Sequence, residues 1–264
     1  MIQTFYMVHN PYYYLGRYIT VEGFFLHSVG VGQPDPWVFI RQFNTPNYER
    51  ACVHGFIGAD ETIITMPCLV TPGRAMRAPH SGNSWSNNRY LGFEMTEPKG
   101  IRYTGNGAEF VVTDRAGATA HAWATIRRAV DLFAQLCAFH RKDPLTDGVI
   151  LSHAEGSRRG IASAHADPEH LWKGLNMNYS MDQFRKDVAE KMKGEDDMTR
   201  EEVIEIIKEE KIIYDTIDQV PEWARPAIQK LLDKGVLRGE GDGLGLTYDL
   251  TRVLVINDRS GLYD

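Results

Sequence analysis

Asp147-Gly148-Val149-Ile150-Leu151-Ser152-His153-Ala154-Glu155-Gly156-Ser157-Arg158-Arg159-Gly160-Ile161-Ala162-Ser163-Ala164-His165-Ala166-Asp167-Pro168 is the stretch on which the fold turns. It opens as a short apolar run bounded by Gly148, which reads as a buried strand over Gly148–Ser152 that His153 closes. Far upstream, His27 closes a second such run, Gly23-Phe24-Phe25-Leu26. Two histidines at the ends of separate strands, with a carboxylate (Asp167) on a following loop, suit an open catalytic zinc site. Such a site takes three protein ligands and leaves a fourth position for water. The 14-residue gap from His153 to Asp167 is too long for two ligands on one helix and suits a loop folding back, stiffened by Pro168. Taken singly, either histidine reads more readily as a buried residue satisfying a hydrogen bond. With nine histidines in the chain, spacing alone does not separate the two readings.

Outward from these runs, the first 190 or so residues read as one α/β unit. Further strands are expected at Val53–Gly58, Thr62–Met66 and Tyr90–Thr96, each short and bounded by Gly, Pro or Asn. Thr119–His140 is expected to be a helix, with Ile126, Val130, Phe133 and Cys137 on one stripe and Asp143-Pro144 ending it. A second helix is expected over Met181–Lys193. Composition then shifts: Gly194-Glu195-Asp196-Asp197 is a polar break, and Thr199 and Glu202 form a capping box opening a helix over 200–211. Pro221 suits the first turn of a last helix whose buried stripe is Ala224, Ala227, Ile228 and Leu231, stopped by Gly235.

The net charge of −6 is uneven. Residues 195–264 carry 9 Lys+Arg against 17 Asp+Glu, whereas residues 1–194 carry 20 against 18. No basic footprint for nucleic acid exists. Cys52, Cys68 and Cys137 are odd in number and lie in apolar contexts, so buried free thiols are expected. The opening residues lack a basic segment followed by a long apolar run. The expectation is synthesis in the cytoplasm without a cleaved signal peptide.

Glu94 lies inside the apolar strand Leu91-Gly92-Phe93-Glu94-Met95. A desolvated carboxylate costs several kcal/mol unless paired or functional. A raised pKa suits a general base, whereas the plainer alternative is a glutamate held by Arg89. Glu97, ahead of Pro98, is the weaker twin. His153-Ala154-Glu155 also matches the H-x-E of zinc deaminases, but that site needs a downstream Pro-Cys-x-x-Cys and no cysteine follows Cys137.

Read in order, these pieces resemble the type 2 N-acetylmuramoyl-L-alanine amidases, the zinc amidase fold shared with peptidoglycan-recognition proteins, and within them the Gram-positive endolysin and autolysin branch. Phe25-Leu26-His27-Ser28 resembles the first-ligand strand, Ala51-Cys52-Val53-His54-Gly55-Phe56-Ile57 an S-x-H-Y/F strand, and Ala78-Pro79-His80-Ser81-Gly82 the W-H-A-G turn. Asn88-Arg89-Tyr90-Leu91-Gly92-Phe93-Glu94 resembles the N-x-x-S-I-G-I-E strand, and Asp147–Asp167 covers the last two ligand positions.

The resemblance implies a mixed central sheet flanked by helices over residues 1–193, and the composition shift places a linker over 194–198 and a small, mainly helical domain over 199–264. It implies zinc held by His27, His153 and Asp167, Glu94 as general base, and His165 in place of the usual lysine as oxyanion donor. The reading leaves open a swap in which His165 or His170 is the third ligand. His80, Trp85 and Asn87 are expected on a groove loop that contacts substrate. The implied substrate is bacterial peptidoglycan, cut between N-acetylmuramic acid and L-alanine at the cell wall. A non-catalytic wall-binding module and a stem-peptide endopeptidase are the alternatives. The tail faintly resembles half of an S-layer homology repeat, for which wall binding (through Trp223 or Tyr248) or a homodimer are the open roles. A prophage origin would add a holin-type release partner.

Overall fold

β3 (Gly23–Ser28) is buried along its whole length, which makes it an inner strand of a sheet covered on both faces. The structure, a computed structural model, describes residues 2–105, 107–196, 213–239 and 243–263. Around β3 lie β1 (Ile2–Thr4), β2 (Tyr18–Thr20), β4 (Gly55–Ile57), β5 (Thr62–Ile64), β6 (Arg74–Met76), β7 (Tyr90–Met95), β8 (Ile101–Tyr103), β9 (Phe110–Val112) and β10 (Ile150–Ser152). The six-stranded central sheet runs β1-β5-β4-β7-β3-β10. Its pairings are parallel except β4–β5. β2–β6 and β8–β9 are separate antiparallel pairs. Helices α1 (Pro11–Tyr14), α2 (Pro36–Phe43), α3 (Ser84–Asn87), α4 (Arg115–His140), α5 (His153–Arg158), α6 (Glu169–Gly174) and α7 (Met181–Asp196) complete this unit. The mixed α/β architecture expected from the sequence is the one observed.

Alternation along the strands decides which face receives the site. Phe24 and Leu26 of β3, with Leu91, Phe93 and Met95 of β7, pack with the α4 stripe of Ile126, Ala129 and Phe133. Phe133 meets Phe24 at 6.0 Å, Phe93 at 5.7 Å and Phe184 at 5.3 Å between ring centroids. The intervening residues Phe25 and His27 therefore project to the opposite face, beside their register partners Gly92 and Glu94. Leu151 joins Phe25 there, and His153 follows two residues later. Glu94, His27 and His153 thus stand at the carboxyl ends of adjacent parallel strands, where open α/β sheets bind ligands.

Boundaries differ from expectation for identifiable reasons. α4 begins at Arg115 rather than Thr119, because the Asp114 side chain accepts the Gly117 amide and caps a turn that Gly117 obscures in the sequence. α7 runs on to Asp196, through the first residues of the expected linker, since one internal glycine costs a helix only about 1 kcal/mol. The edge strand β1 is exposed and three residues long, too short to show alternation. The expected helix over 200–211 lies outside the described residues. Cys52, Cys68 and Cys137 are buried and unbridged, and burial pushes each thiol up to about 12.

The chain divides into two units, Met1–Glu195 and Asp196–Asp264. In the second, a two-stranded pair (Ile213–Tyr214 with Leu246–Thr247) and helices Arg225–Asp233 and Tyr248–Arg259 enclose Tyr214, Val220, Ala224, Ala227, Ile228, Leu246 and Val255. The buried stripe is the expected one, but Pro221 sits in a turn before the helix, and Pro226 occupies its first turn instead. Gly235, at φ 68°, stops it. Among the described residues, no helix is long and apolar enough to cross a membrane.

Replacing Phe133 with alanine should lower the unfolding free energy by about 3–5 kcal/mol, the usual cost of emptying a buried aromatic site. Urea unfolding followed by circular dichroism measures it.

Candidate functional site

His153 leaves the sheet as the first residue of α5, and its backbone is held on several sides. Ser152 caps the helix by accepting the Glu155 amide at 2.9 Å, while the Glu155 carboxylate accepts the Ser152 amide at 3.0 Å. Arg185 of α7 donates to both Glu155 oxygens (2.9 and 3.0 Å) and to the Ile150 carbonyl (2.9 Å). The glutamate of the H-x-E pattern is therefore a capping and ion-pairing residue. The chain then returns from α5, so that the Asp167 carbonyl accepts the Ala154 amide and Asp167 lies beside β3.

Three donor atoms converge. His27 Nδ1 stands 3.0 Å from His153 Nδ1 and 3.3 Å from Asp167 Oδ2, and His153 Nδ1 lies 3.5 Å from Asp167 Oδ1. All three residues are buried, and among the described residues they form the one cluster able to hold a metal ion. A tetrahedral ion with ligand bonds of roughly 2.0–2.1 Å has ligand–ligand edges of about 3.3–3.4 Å. The observed separations of 3.0–3.5 Å are close to that size, the two histidines meeting different oxygens of Asp167. His165 and His170 stand outside it: His165 Nδ1 lies 3.2 Å from His153 Nε2, on the outward side of that ring, and His170 Nε2 meets the Tyr103 hydroxyl at 2.5 Å.

The electrostatics of the cluster fit a cation. Burial pushes the His153 imidazole down to about 3, and neighbouring His27 adds to the effect. Burial presses His27 the same way, but the Asp167 hydrogen bond and the charges of Glu94 and Asp167 outweigh it and hold His27 above its ordinary value. Burial would raise Asp167, yet the His27 hydrogen bond and charge keep it below the usual carboxylate range. One positive charge is thus favoured at the point where two imidazoles and a carboxylate meet. A divalent ion supplies it with shorter, directional bonds.

A cavity of about 590 Å³ opens above the cluster, lined by Glu94, His80, His153, His165, Asp167 and Tyr103 among others. Glu94 Oε2 is buried without a hydrogen-bond partner, and burial lifts its carboxyl to about 7. The alternative partner Arg89 pairs with Glu22 at 3.2 Å and lies over the Trp85 ring. Glu97 is the structural twin. It accepts from the Ser28 hydroxyl (2.7 Å), the Gly30 amide (3.1 Å) and the Tyr103 hydroxyl (2.7 Å), tying the loop after His27 to the β8–β9 hairpin.

The expected groove contacts are placed differently from one another. His80 borders the cavity, but both ring nitrogens are engaged, Nδ1 with His27 Nε2 at 2.8 Å and Nε2 with the Tyr90 carbonyl at 3.1 Å. Asn87 is turned inward, its side-chain oxygen accepting the His80 and Ser81 amides and the Ser81 hydroxyl. Trp85 is 45% exposed on α3 and does not line the cavity. Sequence reasoning missed Ser163 and Tyr103. Ser163 Oγ lies 3.1 Å from His153 Nε2, a role no local pattern signals.

The family described as N-acetylmuramoyl-L-alanine amidase matches residues 17–170, more than half of the chain. Among solved structures, the Staphylococcus aureus hydrolase AmiA in complex with its ligand is 22% identical. The match covers 73% of this chain and 83% of that one, at a TM-score of 0.53, which shows a shared fold. A mutant endolysin from Bacillus subtilis is 14% identical over 71% of this chain and 98% of its own, with a TM-score of 0.47. No curated protein matches.

Metal analysis of the purified chain should return about one zinc per molecule, as three convergent protein ligands require. His153→Ala and Asp167→Ala should each lose it. Retention of full zinc by His153→Ala would remove that residue from the ligand set.

Proposed function

The chain belongs to the N-acetylmuramoyl-L-alanine amidase family, and we propose that it hydrolyses peptidoglycan at the amide between the lactyl group of N-acetylmuramic acid and L-alanine, using zinc held by His27, His153 and Asp167. The observation that carries this reading is the convergence of those three donors beside a cavity that Glu94 also lines. When bound, zinc polarises the scissile carbonyl and makes water nucleophilic near neutral pH.

Glu94 is the general base. It stands beside His27 across the β3–β7 pair, its side chain lines the cavity, and its Oε2 has no hydrogen-bond partner. A carboxyl with a pKa near neutrality takes the proton of the attacking water and then delivers it to the leaving amine. Water adds to the carbonyl carbon, the C–N bond breaks, and the products are a lactyl carboxylate and a free alanine amino terminus.

His165 stabilises the oxyanion. Its Nδ1 lies 3.2 Å from His153 Nε2, whose proton it shares with Ser163 Oγ, itself 3.1 Å away. With Nδ1 engaged within the protein, Nε2 is the nitrogen left to donate to the carbonyl oxygen as it gains charge. The histidine thus does with one directed hydrogen bond what a lysine does with a fixed charge.

The second unit presents Trp223 and Tyr248 side by side, ring centroids 6.2 Å apart and each 43% exposed. This edge-on pair suits a sugar face, and wall attachment is the role we assign to it.

Mass spectrometry of fragments from digested, purified cell walls tests the reaction. New alanine amino termini are expected; new termini within the stem peptide would replace the amidase with an endopeptidase, and no new termini would indicate a binding module. Glu94→Ala should bind wall without cutting it. His165→Ala should lower turnover by roughly 100–1,000-fold, the usual effect of removing an oxyanion donor.

A further inference from the structure

His80, Ser81 and Gly82 form a turn that meets His27 directly and His153 by way of Ser163. The Tyr90 carbonyl can only accept, so His80 Nε2, 3.1 Å away, carries a proton. His80 has no carboxylate among its hydrogen-bond partners, and as a neutral ring its Nδ1 is a bare acceptor. His27 Nε2, 2.8 Å from that atom, must therefore be the donor. With a metal ion in place of the proton that Asp167 otherwise favours there, His27 would keep its proton on Nε2 and turn its Nδ1 lone pair toward the point between His153 and Asp167.

The same turn reaches the second ligand. The Ser81 carbonyl accepts the Ser163 amide at 2.8 Å and the Ser163 hydroxyl at 3.2 Å. Ser163 Oγ in turn stands 3.1 Å from His153 Nε2, so that imidazole also turns its Nδ1 inward. Two features hold the turn. Asn87 Oδ1 accepts the His80 amide (2.9 Å), the Ser81 amide (3.0 Å) and the Ser81 hydroxyl (2.8 Å). Gly92 of β7 leaves room for the His80 ring, which any Cβ at that position would strike.

We infer that His80 is a positioning residue for the metal centre: through a Tyr90 carbonyl–His80–His27 relay it fixes the tautomer in which His27 offers Nδ1 to the ion, while Ser81 and Ser163 of the same assembly do so for His153. The inference rests on the metal-site reading above. It explains why His80 and Asn87, expected to touch substrate, are instead spent on hydrogen bonds within the protein. Metal-bound histidines are commonly oriented by such partners, whose loss weakens metal affinity by about 10–100-fold.

Glutamine and leucine at this position separate positioning from filling space. In His80→Gln the side-chain oxygen accepts from His27 and the amide donates to the Tyr90 carbonyl, whereas His80→Leu does neither. Zinc affinity of the full chain, measured by competition with a chromophoric chelator without any wall substrate, should fall about 10–100-fold for His80→Leu and recover most of that loss in His80→Gln. Circular dichroism checks that each variant is folded. A folded His80→Leu that binds zinc as wild type does overturns the inference, as does a folded His80→Gln no better than leucine. Should the leucine variant not fold, nuclear magnetic resonance of the zinc-loaded wild type decides. A hydrogen-bonded His27 Nε2 proton is expected, and coordination of zinc through Nε2 refutes it. Failure of the wild type itself to bind zinc removes the site and this inference together. Zinc bound with no change among the variants removes the inference alone.

Discussion

Holding two uncharged imidazole nitrogens and a carboxylate oxygen within bonding reach of one point, out of water, is the constraint the catalytic unit is built to meet. Lone pairs facing at 3.0 Å repel unless a proton or a cation lies between them. Burial makes the cost larger, because an unpaired charge or acceptor in low dielectric is expensive. The sheet meets the constraint by strand register. Glu94, His27 and His153 stand at the ends of β7, β3 and β10, which are neighbours in the sheet and parallel. Neighbouring strands lie about 4.8 Å apart, which brings side chains of a shared face within reach of one ion.

Rigidity comes from the two layers behind. On one side, α4 covers Phe24, Leu26, Leu91 and Phe93 and fixes the sheet. On the other, Phe25 lies between Tyr90, His27 and His80, with ring centroids 5.1–5.6 Å away. The loops that complete the site are tied by buried polar groups rather than by strands. Glu97 anchors Ser28, Gly30 and Tyr103, and the Ser152–Glu155–Arg185 network anchors His153. A side chain in such a network cannot drift without leaving a buried group unsatisfied, so the ligands are preorganised.

Glu94 is the counterexample that marks chemistry. Its neighbour Glu97 has both oxygens satisfied, whereas Glu94 keeps one buried oxygen bare. Two glutamates three residues apart, both lifted to about 7 chiefly by burial, thus differ in what they face. One is enclosed by donors from its own protein. The other keeps an oxygen with no such donor, on a side chain that lines the cavity.

By itself the sequence determined the strands and their partners in chemistry. Apolar runs ending in His27 and His153, a carboxylate inside Leu91–Met95 and the stripe of α4 are one-dimensional patterns, set by local periodicity, so they were legible. The ordered motifs added the family and, with it, Asp167 and His165. Tertiary structure alone decided which side chains are spent inward. His80 and Asn87 lie on a polar turn that reads as a groove loop, and nothing local says that β7 leaves space at Gly92 for the His80 ring or that Asn87 closes the turn from within. The open choice among Asp167, His165 and His170 is likewise a matter of position in space, where Asp167 is the one that clusters with His27 and His153 among the described residues. Hydrogen bonds such as His27–His80 and His153–Ser163 join residues 53 and 10 positions apart, and only the folded register selects them.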